Sequence, residues 1–503
     1  MEKIIMKYII NPSRILFERS KMLYGHFIEH FHRQIYGGVY DPGNPLSDED
    51  GFRTDVLEAM RDIEVPILRW PGGCFVSAYP WKNAVGPKRI PYYDKAWHVE
   101  EPCTFGTDEY IQLCKKIGCE PYICTNAGTG TAEEMSDWVE YCNLSTEGPY
   151  AKQRIANGYE TPHNVRFWSI GNENWGDHEI GAKSSAEWGR LVNESAKMMQ
   201  RVDPDLELSA AALPDLDWNL HVLRSAGHRL KWISIHEYWD GIHQTNDFAD
   251  YEQSMAYTDS LDRGIRNVRG LLTALGLEKR IKIAFDEWNL RGWYHPDFNT
   301  FGRGLDRQKD ILDPRDKNDD NRLYTMADTV FTACFLNTCN RNADIVGMAN
   351  FAPIVNTRGC IFTHENGIVL RGTYYVFRMY VKLLGETIVD LWAQEEEKLT
   401  LTDRWGNKRM VDAVDILATR RADGITAVSA VNKDAVQEKK VTLDVPGVKR
   451  YRIHTLNGDS TESYNDIGVN GITCTVGEWI PCTDEFSVSF APHSVNVIEI
   501  ETE

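Results

Sequence analysis

From about residue 20 to about residue 380, short apolar runs alternate with segments of helical period. The runs are LYGHFIEHF, VPILRWPGG, CEPYICTN, VRFWSIGNEN, LELSAAALPD, KWISIHEYW, IKIAFDEWN and ADIVGMANFA, eight in all. Their apolar residues are consecutive, which marks strands buried on both faces, as in a parallel sheet. The segments between them carry helix punctuation. In DEYIQLCKKIG the residues Tyr110, Ile111, Cys114 and Ile117 share one face. Thr107 is the expected cap, Asp108 and Glu109 open the helix, Lys115 and Lys116 close it, and Gly118 ends it. Ser184 with Glu187 three residues on predicts a capping box, ahead of a stripe of Trp188, Leu191, Val192 and Met199. Eight strand–helix units in ~360 residues predict a (β/α)8 barrel with insertions. A doubly wound open sheet is the competing arrangement, but no glycine-rich phosphate loop follows the first strand.

Beyond about residue 385 the pattern changes. KLTLTDRW, ITAVSAVNK, KKVTLDVPG, YRIHTL, TCTVGE and FSVSFAPHSVNVIEIE alternate apolar and polar positions between turn residues. They predict an antiparallel, jelly-roll-like β-sandwich. The expected division is residues 21–384 for the barrel and 385–503 for the sandwich, with strands from residues 1–20 joining the sandwich. The stretch Arg291–Asn321, rich in Asp, Gly, Arg and Asn, follows the seventh strand. On a barrel that places it over the active-site face, where long loops tend to be functional; a solvated surface insertion is the alternative.

Composition narrows the function. With 55 basic and 74 acidic residues the net charge is −19, which disfavours nucleic acid and anionic membrane as partners. The opening MEKIIMKYIINPSRILFERS has no uninterrupted apolar stretch or small-residue cleavage site, and no later run is long enough to span a bilayer. A cytoplasmic protein is expected. Eleven scattered cysteines without paired CxxC spacing fit free thiols better than a disulfide framework or a zinc site. Fifteen Trp and 22 Tyr suit sugar rings, whose C–H faces stack on aromatics, although most aromatic residues fill cores.

Catalytic groups of a (β/α)8 enzyme sit at C-terminal strand ends. Reading those ends gives His26 and Glu29 on strand one, Arg69 on strand two and Asn126 on strand three. Strand four gives Asn172 and Glu173, strand six His236 and Tyr238, and strand seven Asp286 and Glu287. Carboxylates at the ends of strands four and seven face each other across a barrel mouth. One can protonate a leaving oxygen while the other attacks the anomeric carbon, which is the pairing that glycoside cleavage requires. A structural ion pair or a metal site uses the same residue types. Against a metal stands the lack of His and carboxylate spacing such as i,i+4.

The stretch Trp168-Ser169-Ile170-Gly171-Asn172-Glu173 resembles the Gly-Asn-Glu signature of clan A glycoside hydrolases, and Asp286-Glu287-Trp288-Asn289 resembles their strand-seven motif. With GHFIEHFHRQIYGGVYDP, RWPGGCFVSAYPWKNAVGP, GNENWG, ISIHEYW and DEWNLRGW in order, the chain is similar to family 51, the α-L-arabinofuranosidases. The resemblance implies a retaining, exo-acting hydrolase of arabinan or arabinoxylan oligosaccharides. It implies Glu173 as acid/base and Glu287 as nucleophile, with Glu29, Cys74, Asn172, His236, Tyr238 and Trp288 around the sugar. It implies no metal and no organic cofactor, and a homo-oligomer, often a hexamer. The roles require Glu173 to hold a proton, through a raised pKa, while Glu287 is ionised with help from Tyr238 and Arg69.

Two positions depart from the family pattern. Cys74 stands where an Asn after Pro-Gly-Gly binds a sugar hydroxyl, and Pro353 stands where strand eight carries a Gln. Neither replaces the lost side-chain hydrogen bond, each about 1 kcal/mol. A family relative of other specificity (a β-xylosidase, an endo-β-1,4-glucanase or another furanosidase) is therefore the alternative reading. A non-catalytic sugar-binding protein is a third, and the retained carboxylate pair argues against it.

Overall fold

The computed structural model describes residues 6–241, 248–292 and 317–502. The expected barrel is present. Its strands are β1 (Gly25–Phe27), β2 (Ile67–Trp70), β3 (Glu120–Thr125), β4 (Phe167–Ile170), β5 (Glu207–Ala210), β6 (Trp232–Asp240), β7 (Lys282–Arg291) and β8 (Val346–Phe351). All neighbouring pairs in the order β5-β4-β3-β2-β1-β8-β7-β6 are parallel. The ring closes between β5 and β6 through a parallel bridge of Ala211 with Ser234 and the Ala212 N–H donating to the Ser234 carbonyl at 2.9 Å. Eight helices follow the strands in turn: α1 (Thr54–Asp62), α2 (Thr107–Ile117), α3 (Ala132–Asn143), α4 (Ser185–Val202), α5 (Leu216–Ala226), α6 (Arg263–Ala274), α7 (Met326–Arg341) and α8 (Gly372–Leu383).

The sequence signals for these helices hold with one correction. The Ser184–Glu187 capping box forms, with the Ser184 N–H donating to Glu187 at 2.9 Å, and Gly118 ends α2 at φ 78°, a conformation that favours glycine. Thr107, however, is the first helical residue of α2. The cap is Gly106, whose N–H donates to the Glu109 carboxylate at 2.8 Å. Thr107 is committed elsewhere, its hydroxyl accepting from the Trp138 indole at 3.0 Å.

Alternate residues of the strands point into the barrel and stack in layers. At the bottom Ile67, Tyr122, Phe167, Trp232, Ala284 and Met348 form a small apolar plug. Two residues further along the strands the inward positions turn polar: Arg69, Cys124, Ser169, Ser209, Ser234 and Asn350, all buried. A barrel of this size fills its interior with side chains, and several of these polar groups gather on Asp286. The Tyr122 hydroxyl donates to Asp286 at 2.8 Å, and so does that of Ser234 at 2.6 Å.

The C-terminal strands form a sheet of ten strands around a second apolar core that includes Tyr8, Ile10, Val389, Val428, Leu443, Phe490 and Ile498. The strand Met6–Glu18 lies within this sheet, antiparallel to Thr387–Glu395 and parallel to Lys439–Asp444. Helix α7 is buried almost all round because it lies between the barrel and this sheet, as helices apolar on every side do. Arg341 at its end grips Asp415 of the sheet with both guanidinium nitrogens, at 2.8 and 3.0 Å. The insertion Arg291–Asn321 falls mostly outside the described residues.

On the outer face of β1, β7 and β8, Phe377 of α8 packs against His26, Trp288 and Phe351, with ring centroids 4.5, 6.4 and 5.3 Å away. Phe377→Ala removes the wedge that seats these three strands. A loss of about 3–5 kcal/mol of stability is expected, read by guanidinium denaturation. A loss under about 1 kcal/mol would mean that the strands do not depend on this contact.

Candidate active site

The loops above the C-terminal strand ends enclose a cavity of about 570 Å³ lined by Glu29, Cys74, Asn172, Glu173, Tyr238 and Glu287, with Trp97, Trp175 and His178. Each of these polar groups is placed by a local feature of the chain. Glu287 owes its direction to an irregularity in β7. Ala284 pairs with Ser234 and Glu287 with His236, so β7 takes three steps where β6 takes two. This bulge turns consecutive carboxylates, Asp286 and Glu287, toward the barrel axis and sends Trp288 outward.

Arg69 joins the two sides of the site. Its Nη1 donates to Glu287 Oε1 at 2.7 Å, its Nη2 to Asn172 Oδ1 at 2.9 Å, and its Nε lies 3.4 Å from Asp286. The Tyr238 hydroxyl donates to the other Glu287 oxygen at 2.8 Å. The Glu287 carboxylate is thereby fixed in orientation by two donors from different strands.

Glu173 follows β4 in a left-handed conformation, φ 43°, next to Gly171 at φ 68°. Such backbone is uncommon for a glutamate and is characteristic of functional sites. Its carboxylate lies between two imidazoles, His236 Nδ1 and His178 Nε2, each at 2.8 Å. Burial works to raise its pKa, but these hydrogen bonds outweigh it and hold the carboxyl below its usual range. His236 responds in the opposite sense. Burial lowers its pKa, yet the charges of Glu287, Asp286 and Glu173 overcome this and push it up to about 10. His178 is raised as well, by Glu173 and Glu179 against the effect of its burial. The expectation of a raised pKa at Glu173 is therefore corrected: the hydrogen bonds from His178 and His236 hold its carboxyl below the usual carboxylate range.

Glu29 is the neutral carboxyl of the site. Burial, and then the charge of Glu287, push its pKa up to about 8. Its Oε1 accepts from the Phe75 N–H at 3.1 Å and the Trp97 indole at 3.0 Å. Gly72 and Gly73 leave room for the pair: a Cβ on Gly72, φ 152°, would lie 2.3 Å from Glu29 Cγ, and one on Gly73 2.8 Å from Glu287 Oε1.

The sequence reading thus brings together Glu29, Cys74, Asn172, Glu173, His236, Tyr238 and Glu287, with Arg69 beneath them. Three of its residues lie elsewhere. Trp288 is fully buried behind β7, among Phe335, Phe351 and Phe377, and does not reach the cavity. His26 points outward onto Phe351 and Phe377. Asn126 holds its own loop, accepting the N–H groups of Gly128, Thr129 and Gly130 at 3.0–3.1 Å. Pro353 is buried and does not line the cavity, whereas Cys74 does. The reading missed Trp97, His178 and Glu179. For the last two a signal existed, since a His and a Glu follow Glu173 within six residues of one loop; Trp97 lies in a loop without a motif.

Known proteins resemble the chain along most of its length. The model of the α-L-arabinofuranosidase 1 domain matches residues 59–256, and that of the α-L-arabinofuranosidase C-terminal domain matches residues 286–494. The chain is 33% identical over 449 residues to an intracellular exo-α-(1→5)-L-arabinofuranosidase of Acetivibrio thermocellus, over 87% of this chain and 86% of that protein. Among solved structures it is similar to the α-L-arabinofuranosidase of Thermotoga maritima in an arabinose complex, with TM-score 0.87, 35% identity, and coverage of 99% of this chain and 100% of that one. The GH51 α-L-arabinofuranosidase of Thermotoga petrophila gives TM-score 0.86, again at 35% identity and the same coverage. With its closed barrel, its mainly antiparallel C-terminal sheet and these relatives along its length, the chain belongs to glycoside hydrolase family 51, the α-L-arabinofuranosidases.

Proposed function

We propose that this chain is an exo-acting α-L-arabinofuranosidase that releases arabinose from arabinan or arabinoxylan oligosaccharides by double displacement. The observation that carries it is the facing pair Glu173 and Glu287, of which one oxygen each lies within 4.8 Å of the other. That closeness suits a retaining pair, about 5–5.5 Å between carboxyls, better than an inverting pair at about 6.5–9.5 Å. Glu287, held by Arg69 and Tyr238, attacks the anomeric carbon. Glu173 delivers the leaving-group proton. A glycosidic oxygen arriving at Glu173 displaces His178 from Oε2; the His178 Nε2 proton moves to Oε2 and from there to the glycosidic oxygen as its bond to the anomeric carbon breaks, while His236 stays hydrogen bonded to Oε1. Glu29 and Asn172 point polar groups at the same space and hold sugar hydroxyls. The barrel, residues 21–384, carries the chemistry, and residues 385–503 with the N-terminal strand form its support.

No helix among the described residues is long and apolar enough to cross a membrane. Action in the cytoplasm is supported by the intracellular relative from Acetivibrio thermocellus, and a homo-oligomer by the family resemblance.

Hydrolysis of an aryl α-L-arabinofuranoside beside the aryl β-xyloside, β-glucoside and β-galactofuranoside tests the reading. Turnover of the arabinofuranoside is expected, falling by roughly 10⁴-fold or more in Glu287→Ala. Turnover confined to another glycoside would transfer the specificity to a pocket reshaped at Cys74, and silence on all four would overturn hydrolysis altogether.

The proton arrangement has its own signature in stability. His236 titrates in the fold at about 10, above its ordinary 6.5, so its contribution is complete below pH about 6.5 and is lost as pH rises toward 10. Glu173 is held below its ordinary 4.5, so its contribution is present above that pH and is lost on acidification. The stability gap between wild type and His236→Asn should therefore be widest between pH about 5 and 6.5 and narrow steadily toward pH 10. A gap that stays constant over this range, measured by chemical denaturation, would contradict a protonated His236.

A further inference from the structure

We propose that Cys74, Glu173, His178 and Glu179 form a binding site for one divalent cation of the zinc class at the wall of the sugar pocket. One donor atom from each of the four lies within 4.8 Å of all the others. Cys74 opens the short turn Cys74–Ala78 above β2, and the other three come from the loop after β4. The loop is shaped for this convergence: a Cβ on Gly176 would stand 2.4 Å from His178 Cε1, so the imidazole folds back over a residue that has none.

The donors match the cation by type. A thiolate, an imidazole nitrogen and two carboxylate oxygens are the ligands of tetrahedral zinc, whereas magnesium and calcium take oxygen alone. In such a site, with bonds of about 2.0–2.3 Å, neighbouring donors stand about 3.3–3.8 Å apart. The Glu173–His178 pair, now 2.8 Å apart and hydrogen bonded, has only to open by about 0.5 Å as the shared proton leaves and the metal enters.

A second observation points to a cation. Glu179 is only 4% exposed, and its Oε1 meets no hydrogen-bond partner at full geometry; its neighbours there are Ser77 and Cys74. Among the described residues no lysine or arginine reaches ion-pair distance of it. A path for entry exists, since Cys74, Glu173 and His178 all line the open pocket.

The neighbouring set Glu173, His236 and Glu287 also converges within 4.8 Å, but the Arg69 guanidinium stands 2.7 Å from Glu287. A fixed positive charge there repels a cation, and the set offers no thiolate. Occupancy of the first site would withdraw Glu173 from proton transfer, so that metal and sugar compete for one carboxylate. This last consequence rests on the hydrolase reading; the metal site itself does not.

The test is a titration of the metal-free full-length chain with zinc(II) alone and with cobalt(II) alone, without substrate, so that its outcome is independent of any hydrolysis assay. One ion per chain is expected, and the cobalt form should show intense tetrahedral d–d bands and a thiolate-to-cobalt charge-transfer band. Cys74→Ser should abolish the charge-transfer band and weaken zinc on the order of 100-fold, and Glu179→Gln should weaken it about 10–100-fold. Absence of stoichiometric uptake, a cobalt spectrum lacking the thiolate band, or unchanged zinc affinity in both variants would each overturn the proposal. The wild-type cobalt spectrum decides the matter even if a substitution prevents folding.

Discussion

The site is organised around one buried cation. Arg69 sits on the barrel axis, fully enclosed, where an unpaired guanidinium would be prohibitively costly. Its charge is met by Glu287, Asp286 and the Asn172 carbonyl at 2.7–3.4 Å. Arg69 comes from β2, both carboxylates from β7, and Asn172 from the loop after β4. Holding the guanidinium therefore requires the barrel to be closed in this register, and once closed it delivers an oriented carboxylate to the cavity floor. The fork of donors matters as much as the charge, because a lysine has no fixed second nitrogen to hold Asn172 while it holds Glu287.

Above that floor the site distributes few protons over many acidic groups. Glu29, Glu173, Asp286 and Glu287 crowd one region, and they are resolved by environment. Asp286 is held ionised: burial raises its pKa, but Arg69 and His236 outweigh it. Glu29, enclosed and facing Glu287, keeps its proton up to about pH 8. Glu173 is held below the usual carboxylate range by hydrogen bonds from His178 and His236. The barrel thus places a neutral acid, a held carboxylate and an imidazolium–carboxylate pair within one cavity, which is how a single fold runs acid and nucleophile chemistry at one pH.

The frame beneath these groups is stiff for identifiable reasons. The apolar plug of Ile67, Tyr122, Phe167, Trp232, Ala284 and Met348 fills the barrel base, and α7 is wedged between barrel and C-terminal sheet by apolar faces on all sides and by the Arg341–Asp415 fork. Two backbone irregularities of the site, Glu173 at φ 43° and Gly72 at φ 152°, lie just past strand ends, and the third, the bulge, lies within β7. They aim side chains and do not disturb the core, and functional sites are where strained backbone is tolerated.

Much of this was written in the order of residues. The eight runs of consecutive apolar residues, short and separated by helical patterns, point to eight buried parallel strands, because strands covered on both faces read that way. Asn172-Glu173 and Asp286-Glu287 at the ends of the fourth and seventh follow from the rule that such ends line one mouth. The tertiary structure decided what a linear pattern cannot hold. Alternation along an ideal strand would send Asp286 and Glu287 to opposite faces, and only the bulge in β7, a property of its pairing with β6, turns both inward and puts Trp288 in the core. Thr107 reads as a cap, yet the indole of Trp138, 31 residues away, claims its hydroxyl. The proton on His236 depends on three carboxylates that are separated along the chain and meet only in the closed ring. Strand identity is a local periodicity and is legible in sequence, whereas ionisation and side-chain direction are set by neighbours in space and appear only when the barrel closes.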